Sequence, residues 1–243
     1  MTQEELEFKV KEIRRIERTR EWVLSSFMNF VRYFFLVAYK KKYKINFHHL
    51  IIAEAMDRVF KGECKRLIIN ITPRAGKSEL LSIMSICYGF ALNPQSKFLE
   101  LSASDDLILR NSRFIRMIML SKEYTELFPE STLLTGGGAI SHWFTTNGGE
   151  CKFSSTGSQV MGFGAGLTDK NGFNGMLVID DPIKATEINS APYVNKANEN
   201  SEYAATTRVE TDDVPIVLIM QRLSKHDTTA HFLEAVSEGW EVV

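Results

Sequence analysis

Residues 70–81 read NITPRAGKSELL, and how that stretch is understood decides the fold. Gly76-Lys77-Ser78 is the tail of the phosphate-binding pattern G-x-x-x-x-G-K-[ST], yet Ile71 stands where its first glycine belongs. Such a loop needs a strand end, a tight turn of backbone N–H groups, and a helix N-terminus behind it. The flanking sequence supplies all three. RLIINIT (66–72) is a continuous apolar run, as expected of a strand buried on both faces. KSELLSIMSICYGFAL (77–92) has helical spacing and ends at Asn93-Pro94. Thr72, Pro73, Arg74, Ala75, Gly76, Lys77, Ser78 and Glu79 are therefore the candidate nucleotide-binding residues. Lys77 would reach the β and γ phosphates, and the Ser78 hydroxyl would ligate Mg2+. Arg74 would place a guanidinium fork beside the γ-phosphate. A chance GKS at a helix start is the plain alternative.

An ATP-hydrolysing site also needs carboxylates, one for Mg2+ and one for water. GMLVIDDPIK (175–184) is a buried strand ending in Asp180-Asp181. Asp180 is the expected metal ligand, and Asp181 stands at the catalytic-carboxylate position, with Glu187 as its rival. A pair of acidic turn residues before Pro182 is the alternative. A third apolar strand, VPIVLIM (214–220), runs into Gln221-Arg222, where polar side chains can sense the γ-phosphate or form an ordinary exit to a loop.

Working outward, KFLELSA (97–103) reads as another strand and DDLILRNSRFIRMIML (105–120) as a helix. Arg110, Arg113 and Arg116 lie near one face of it, either as a solvated face or as a finger toward a neighbouring subunit's ATP. SHWFTT and ECKFSST flank Asn147-Gly148-Gly149 as a hairpin within a Gly- and Ser-rich middle, 131–175. Gly162-x-Gly164-x-Gly166 is not a dinucleotide fingerprint and reads as a flexible or DNA-facing loop. A polar helix covers roughly 186–206, HHLIIAEAMDRVFKG (48–62) is amphipathic, and residues 3–40 read as one uninterrupted helix. Strands alternating with helices imply an α/β domain with a mainly parallel sheet. The phosphate loop makes it a P-loop NTPase of the ASCE/RecA-like kind, residues 45–243, with an N-terminal helical extension, 1–44.

The bulk composition fits that reading. The 243 residues are 44% hydrophobic and 24% charged, enough for one domain with a well-buried core. The net charge of -1 carries no global signal for nucleic acid, so DNA contact would come from a local patch or one face of an assembly. Three separated cysteines read as reduced thiols without a disulfide frame or zinc site, and the five histidines lack ligand spacing. The charged N-terminus is no secretory signal, and YFFLVAY (33–39) is far too short to span a membrane.

Four stretches in order, INITPRAGKSELLS, FLELSASDDLILRNSRFIR, GMLVIDDPIKATEINS and VLIMQRLSKHDTTAHFLE, resemble the N-terminal ATPase domain of the large terminase subunit of tailed bacteriophages and prophages. The resemblance covers about residues 45–243. It implies a motor that hydrolyses ATP with Mg2+ to thread double-stranded DNA into a procapsid, in the cytoplasm of the bacterial host. The implied partners are further copies in a ring on the portal protein, and the small terminase subunit. It also implies a deviant phosphate loop in which Arg74 takes part and no first glycine is required. Arg74, Lys77 and Ser78 would form the Walker A site, Asp180 the Walker B aspartate, and Asp181 the catalytic position. Gln221 and Arg222 would couple hydrolysis to motion, and His49 would lie in the adenine-contacting segment. Two departures stand out: an Asp where many terminases have a catalytic Glu, and no RNase H-like nuclease, since the chain stops at GWEVV. The expectation is an ATPase domain without nuclease activity. A helicase-like ATPase and a nucleotide-binding scaffold without turnover are the competing readings.

Overall fold

The computed structural model describes residues 2–158, 162–168, 172–235 and 239–243. Its parallel strands are β1 (Arg66–Asn70), β2 (Lys97–Ser102), β5 (Glu150–Ser155), β6 (Gly175–Asp180), β7 (Ile216–Met220) and β8 (Glu241–Val242). With β3 (Leu133–Ala139) and β4 (His142–Thr145) they form one sheet in the order β3-β4-β5-β2-β6-β7-β1-β8. Only β3–β4 and β4–β5 pair antiparallel, so the chain is an α/β protein with a mainly parallel sheet.

The sheet is covered on both sides, which is why its central strands read as unbroken apolar runs. Side chains alternate along β1: Leu67 and Ile69 enter one core and Ile68 the other. The larger core holds α2 (Phe27–Tyr39), α3 (Phe47–Phe60), α4 (Ser85–Leu92) and α5 (Asp105–Met119). The smaller one packs the sheet against Ala204 and Ala205 of α7 (Ala191–Thr207) and Phe232 of α8 (Thr228–Ala235).

Several sequence expectations need correction. The single helix over 3–40 is two, α1 (Gln3–Leu24) and α2. Ser26 is extended (φ -161°) and its hydroxyl accepts from the Asn29 N–H at 3.2 Å, restarting the helix without Pro or Gly. Asp57 of α3 secures the new start by accepting from the Phe27 N–H at 2.7 Å. Phe27, Phe30, Val31 and Phe34 are fully buried in the same core as β1, so α2 packs directly on the domain. The helix after the loop is π-helical over Glu79–Met84 before α4, with the Ser85 N–H bonded to Leu80 O. β3 and β8 escape the hydropathy pattern. β3 reads LLTGGGA, and a Cβ at Gly138 would lie 2.1 Å from His142 O, so glycine there permits the pairing with β4. The glycine-rich segment is docked where it is described. Phe163 and Ala165 are buried, and Ala165 exchanges backbone hydrogen bonds with Arg208 and Glu210 at 2.8 and 3.0 Å. Residues 159–161 and 169–171 of that segment lie outside the described residues. Among the described residues no helix is long and apolar enough to cross a membrane.

Candidate active site

β7 lies between β6 and β1, so three chain segments leave the sheet side by side at its carboxyl edge. This is where parallel α/β sheets bind ligands. The register places Asp180 beside Ile219, and the Ile71 N–H bonds Met220 O at 3.1 Å. Gln221 therefore emerges between the loop and the aspartate pair. Arg222 instead folds back: its Nε donates to the fully buried carboxylate of Asp227 at 3.0 Å, beside the start of α8.

The loop is held from outside. Thr72, Pro73 and Arg74 are exposed. Arg74 has a left-handed backbone (φ 63°), as does Gly76 (φ 78°). A Cβ at Gly76 would stand 3.3 Å from the Tyr43 hydroxyl and 3.5 Å from His49 Nε2, so the left-handed backbone favours glycine there and a side chain would press on Tyr43. His49 Nδ1 accepts from the Asn46 N–H at 3.0 Å, which leaves Nε2 protonated to donate to Ala75 O at 3.1 Å. Burial depresses the His49 pKa, keeping the ring in this neutral form. His49 thus braces the loop backbone. The helix behind the loop begins with N–H groups that helical geometry leaves without intrahelical acceptors, the feature that makes helix N-termini anion sites.

The two distant motifs meet. Lys77, 9% exposed, donates through Nζ to Asp181 Oδ1 across 104 residues of sequence. Asp181 has φ 45°, and its backbone is locked from both sides: its N–H bonds Ile219 O at 2.8 Å and its carbonyl accepts from Ala103 at 3.1 Å. A non-glycine residue in this conformation persists only where its surroundings fix it. Asp180 is fully buried and accepts from the Ser82 hydroxyl at 2.7 Å, while its Oδ1 has no hydrogen-bond partner. Burial and the Asp181 charge push the Asp180 carboxyl up to about 6. Ser82, Lys77 and the nearby Ser78 hydroxyl pull in the opposite direction, although no bond of ordinary geometry reaches Oδ1 from Ser78.

Beside the loop opens a cavity of about 1080 Å³, lined among others by Tyr39, Tyr43, Arg74, Gly76, Arg110 and Phe114. Glu79 borders it, largely buried, with the Tyr39 hydroxyl donating to its Oε2 at 2.7 Å. Burial raises the Glu79 pKa against the pull of Tyr39 and Arg110. Glu79 Oε1, the Tyr43 hydroxyl and His48 Nε2 are buried there without partners. The cavity combines aromatic walls with a few unsatisfied polar atoms, the usual composition of a small-molecule pocket.

Not every candidate residue joins this cluster. Glu187 sits in a 3-10 turn, Ala185–Glu187, and among the described residues its side chain forms no ion pair with Lys77, whose Nζ is bonded to Asp181. Arg110 borders the cavity, whereas Arg113 is exposed farther along α5. Two groups were not anticipated from sequence. Ser82 stands four residues after Ser78, on the same helix face, and that spacing was its signal. Glu100 of β2 is completely buried and accepts from Asn111 of α5 at 2.7 Å. Burial and the Asp180 charge raise its pKa far above the ordinary value, leaving a neutral acid under the site. Its signal was a lone charge inside the apolar strand KFLELSA.

Among the described residues no group of three or more His, Cys, Asp or Glu side chains is arranged to hold a metal ion. Mg2+ does not require one, because it is commonly held by one or two protein oxygens together with phosphates and water. Ser78 and the free Oδ1 of Asp180 match that mode in number and in chemistry. A scan against protein-family models finds no match for this chain, and a search of curated proteins finds no significant relative.

Proposed function

We propose that this chain is a P-loop ATPase of the ASCE/RecA-like kind, the motor domain of a tailed-phage terminase large subunit that drives double-stranded DNA into a procapsid. The observation that carries the reading is the convergence of Lys77, Asp181 and Asp180 at one end of the sheet, from segments 104 residues apart. The strand between them, β7, leads directly into Gln221, the position from which a γ-phosphate can be sensed.

In this reading the triphosphate lies along the loop 72–78, with its base in the cavity beside Tyr43 and Glu79. Lys77 exchanges Asp181 for the β and γ phosphates as they enter. That exchange frees the Asp181 carboxylate to orient a water and accept its proton as the water oxygen bonds to the γ-phosphorus and the bond to the bridging oxygen breaks, giving ADP and phosphate. Arg74 offsets negative charge developing on the γ-phosphoryl group. Ser78 and Asp180 are the residues that would hold Mg2+, which when bound neutralises charge on the phosphate oxygens. Asp181 is favoured over Glu187 as the catalytic carboxylate because it already touches Lys77. The surface arginines of α5, Arg110 and Arg113, are the residues available to a neighbouring subunit's ATP in a ring.

The test measures ATP hydrolysis by the wild type and by Lys77→Ala and Asp180→Ala, with portal protein and double-stranded DNA present. Hydrolysis by the wild type alone supports the proposal. A wild type that binds ATP yet never turns it over in the assembled state overturns it.

A further inference from the structure

α1 leaves the body of the protein at its N-terminal end. Residues 2–11 are exposed on every side, whereas farther along Ile16 packs against the core and Val23 is buried. The projecting part is built to stay helical: the Thr2 hydroxyl accepts from the Glu5 N–H at 3.2 Å, and Glu5 returns a bond to the Thr2 N–H at 2.7 Å. It nevertheless carries Leu6, Val10 and Ile13, exposed by 49%, 37% and 55%. Their spacing of four and then three residues forms one apolar stripe, the seam of a helix pair. A projecting helix with an uncovered stripe lacks the packing that normally stabilises helices.

Charges beside the stripe select its occupant. Glu7 and Arg14 flank it on one side, seven residues apart, and Lys9 flanks it on the other. Among the described residues neither Glu7 nor Arg14 forms an ion pair, while Arg15 is engaged on the body-facing side with Glu12 and Glu126. Two α1 helices laid parallel would set Lys9 against Arg14 of the second copy, like against like, twice. Laid antiparallel, with Val10 against Ile13 of the second copy, they bring Glu7 to Arg14, opposite charges at both ends of the seam, and lay Leu6 over the aliphatic stem of Glu17.

We infer that the α1 stripe is a self-association surface, pairing antiparallel with α1 of a second copy of this chain through Val10 and Ile13 at the centre and Leu6 at each end, with Glu7–Arg14 ion pairs setting the direction. The seam is short, so the dimer is weak and concentration-dependent. Nothing in it depends on nucleotide binding, and it stands or falls separately from the ATPase reading.

Sedimentation equilibrium of the full chain over a wide micromolar range tests it, with circular dichroism to verify that each variant is folded. The wild-type mass rises from 27.7 kDa toward twice that value. Ile13→Asp, and independently Leu6→Asp, hold the chain monomeric. Glu7→Arg or Arg14→Glu alone weakens association about tenfold by replacing attraction with repulsion at two places, and the two together restore it. A wild type that stays monomeric throughout overturns the inference, leaving the stripe to a different protein. So does a dimer indifferent to Ile13→Asp, or a double variant no better than either single one.

Discussion

Around α2, Phe30 lies 4.5 Å from Phe34 and 5.1 Å from Tyr88, and Phe34 lies 5.3 Å from Tyr124, ring centre to ring centre. The buried hydroxyls there are satisfied: Tyr88 donates to Leu24 O at 3.1 Å and Tyr124 to Cys87 O at 2.8 Å. At the carboxyl ends of β1 and β6 the opposite holds. Asp180 Oδ1, Glu79 Oε1 and the Tyr43 hydroxyl are buried without partners, and Arg74 and Asp181 have left-handed backbones. The first region lowers the free energy of folding wherever it can. The second retains unfavourable groups that the surrounding sheet keeps in place; in the proposed function their partners belong to the nucleotide.

Four substitutions set these regions against each other. Phe30→Ala removes a fully buried ring from the aromatic cluster, and the expected loss is about 3–5 kcal/mol of stability, read from the denaturant midpoint. Hydrolysis per folded molecule should be nearly unchanged. Lys77→Ala should do the reverse, lowering the hydrolysis rate about 10²–10³-fold while shifting the midpoint less than Phe30→Ala does. If instead both variants lose stability and activity together, the two regions are not separable.

Asp180→Asn should stabilise the nucleotide-free protein. The Asp180 carboxyl is raised from 3.8 to about 6 in the fold. Between those values the unfolded chain has released the proton and the native chain has not, so wild-type stability falls as pH rises through the window. Asparagine carries no such penalty. The variant should exceed the wild type by up to about 3 kcal/mol above pH 6, and the gain should vanish below about pH 4, as seen in melting curves across pH. Its metal-dependent hydrolysis should be lost. The smallest effect is expected from Ser82→Ala, which removes the 2.7 Å bond to Asp180 at a cost of about 1–3 kcal/mol. Because that bond favours the ionised carboxylate, its loss raises the Asp180 pKa further. The acidic limb of the pH–activity profile should then move to higher pH; an unmoved limb would detach Asp180 from the activity.

Local chemistry made much of this legible. Continuous apolar runs marked β1, β6 and β7, because a strand covered on both faces has no polar side to interrupt it. Gly76-Lys77-Ser78 and Asp180-Asp181 were conspicuous as charged or flexible residues at the ends of such runs. Elements resting on contacts were not legible. The break at Ser25–Ser26 depends on Asp57 from another helix, and β8 exists because Leu67 and Ile68 offer it an edge. β3 pairs through glycines that carry no hydropathy signal.

The amino-acid sequence by itself determined the α/β alternation, the loop, the aspartate pair and their order along the chain, since each follows from periodicity or residue type within a few positions. The tertiary structure alone decided that Lys77 grips Asp181 rather than standing free, that His49 holds the loop's backbone, and that Ser82 and Glu100 lie beneath the site. Those are relations between segments far apart in sequence. They arise from the order of strands in the sheet and from burial, and neither quantity is written in any local stretch of residues.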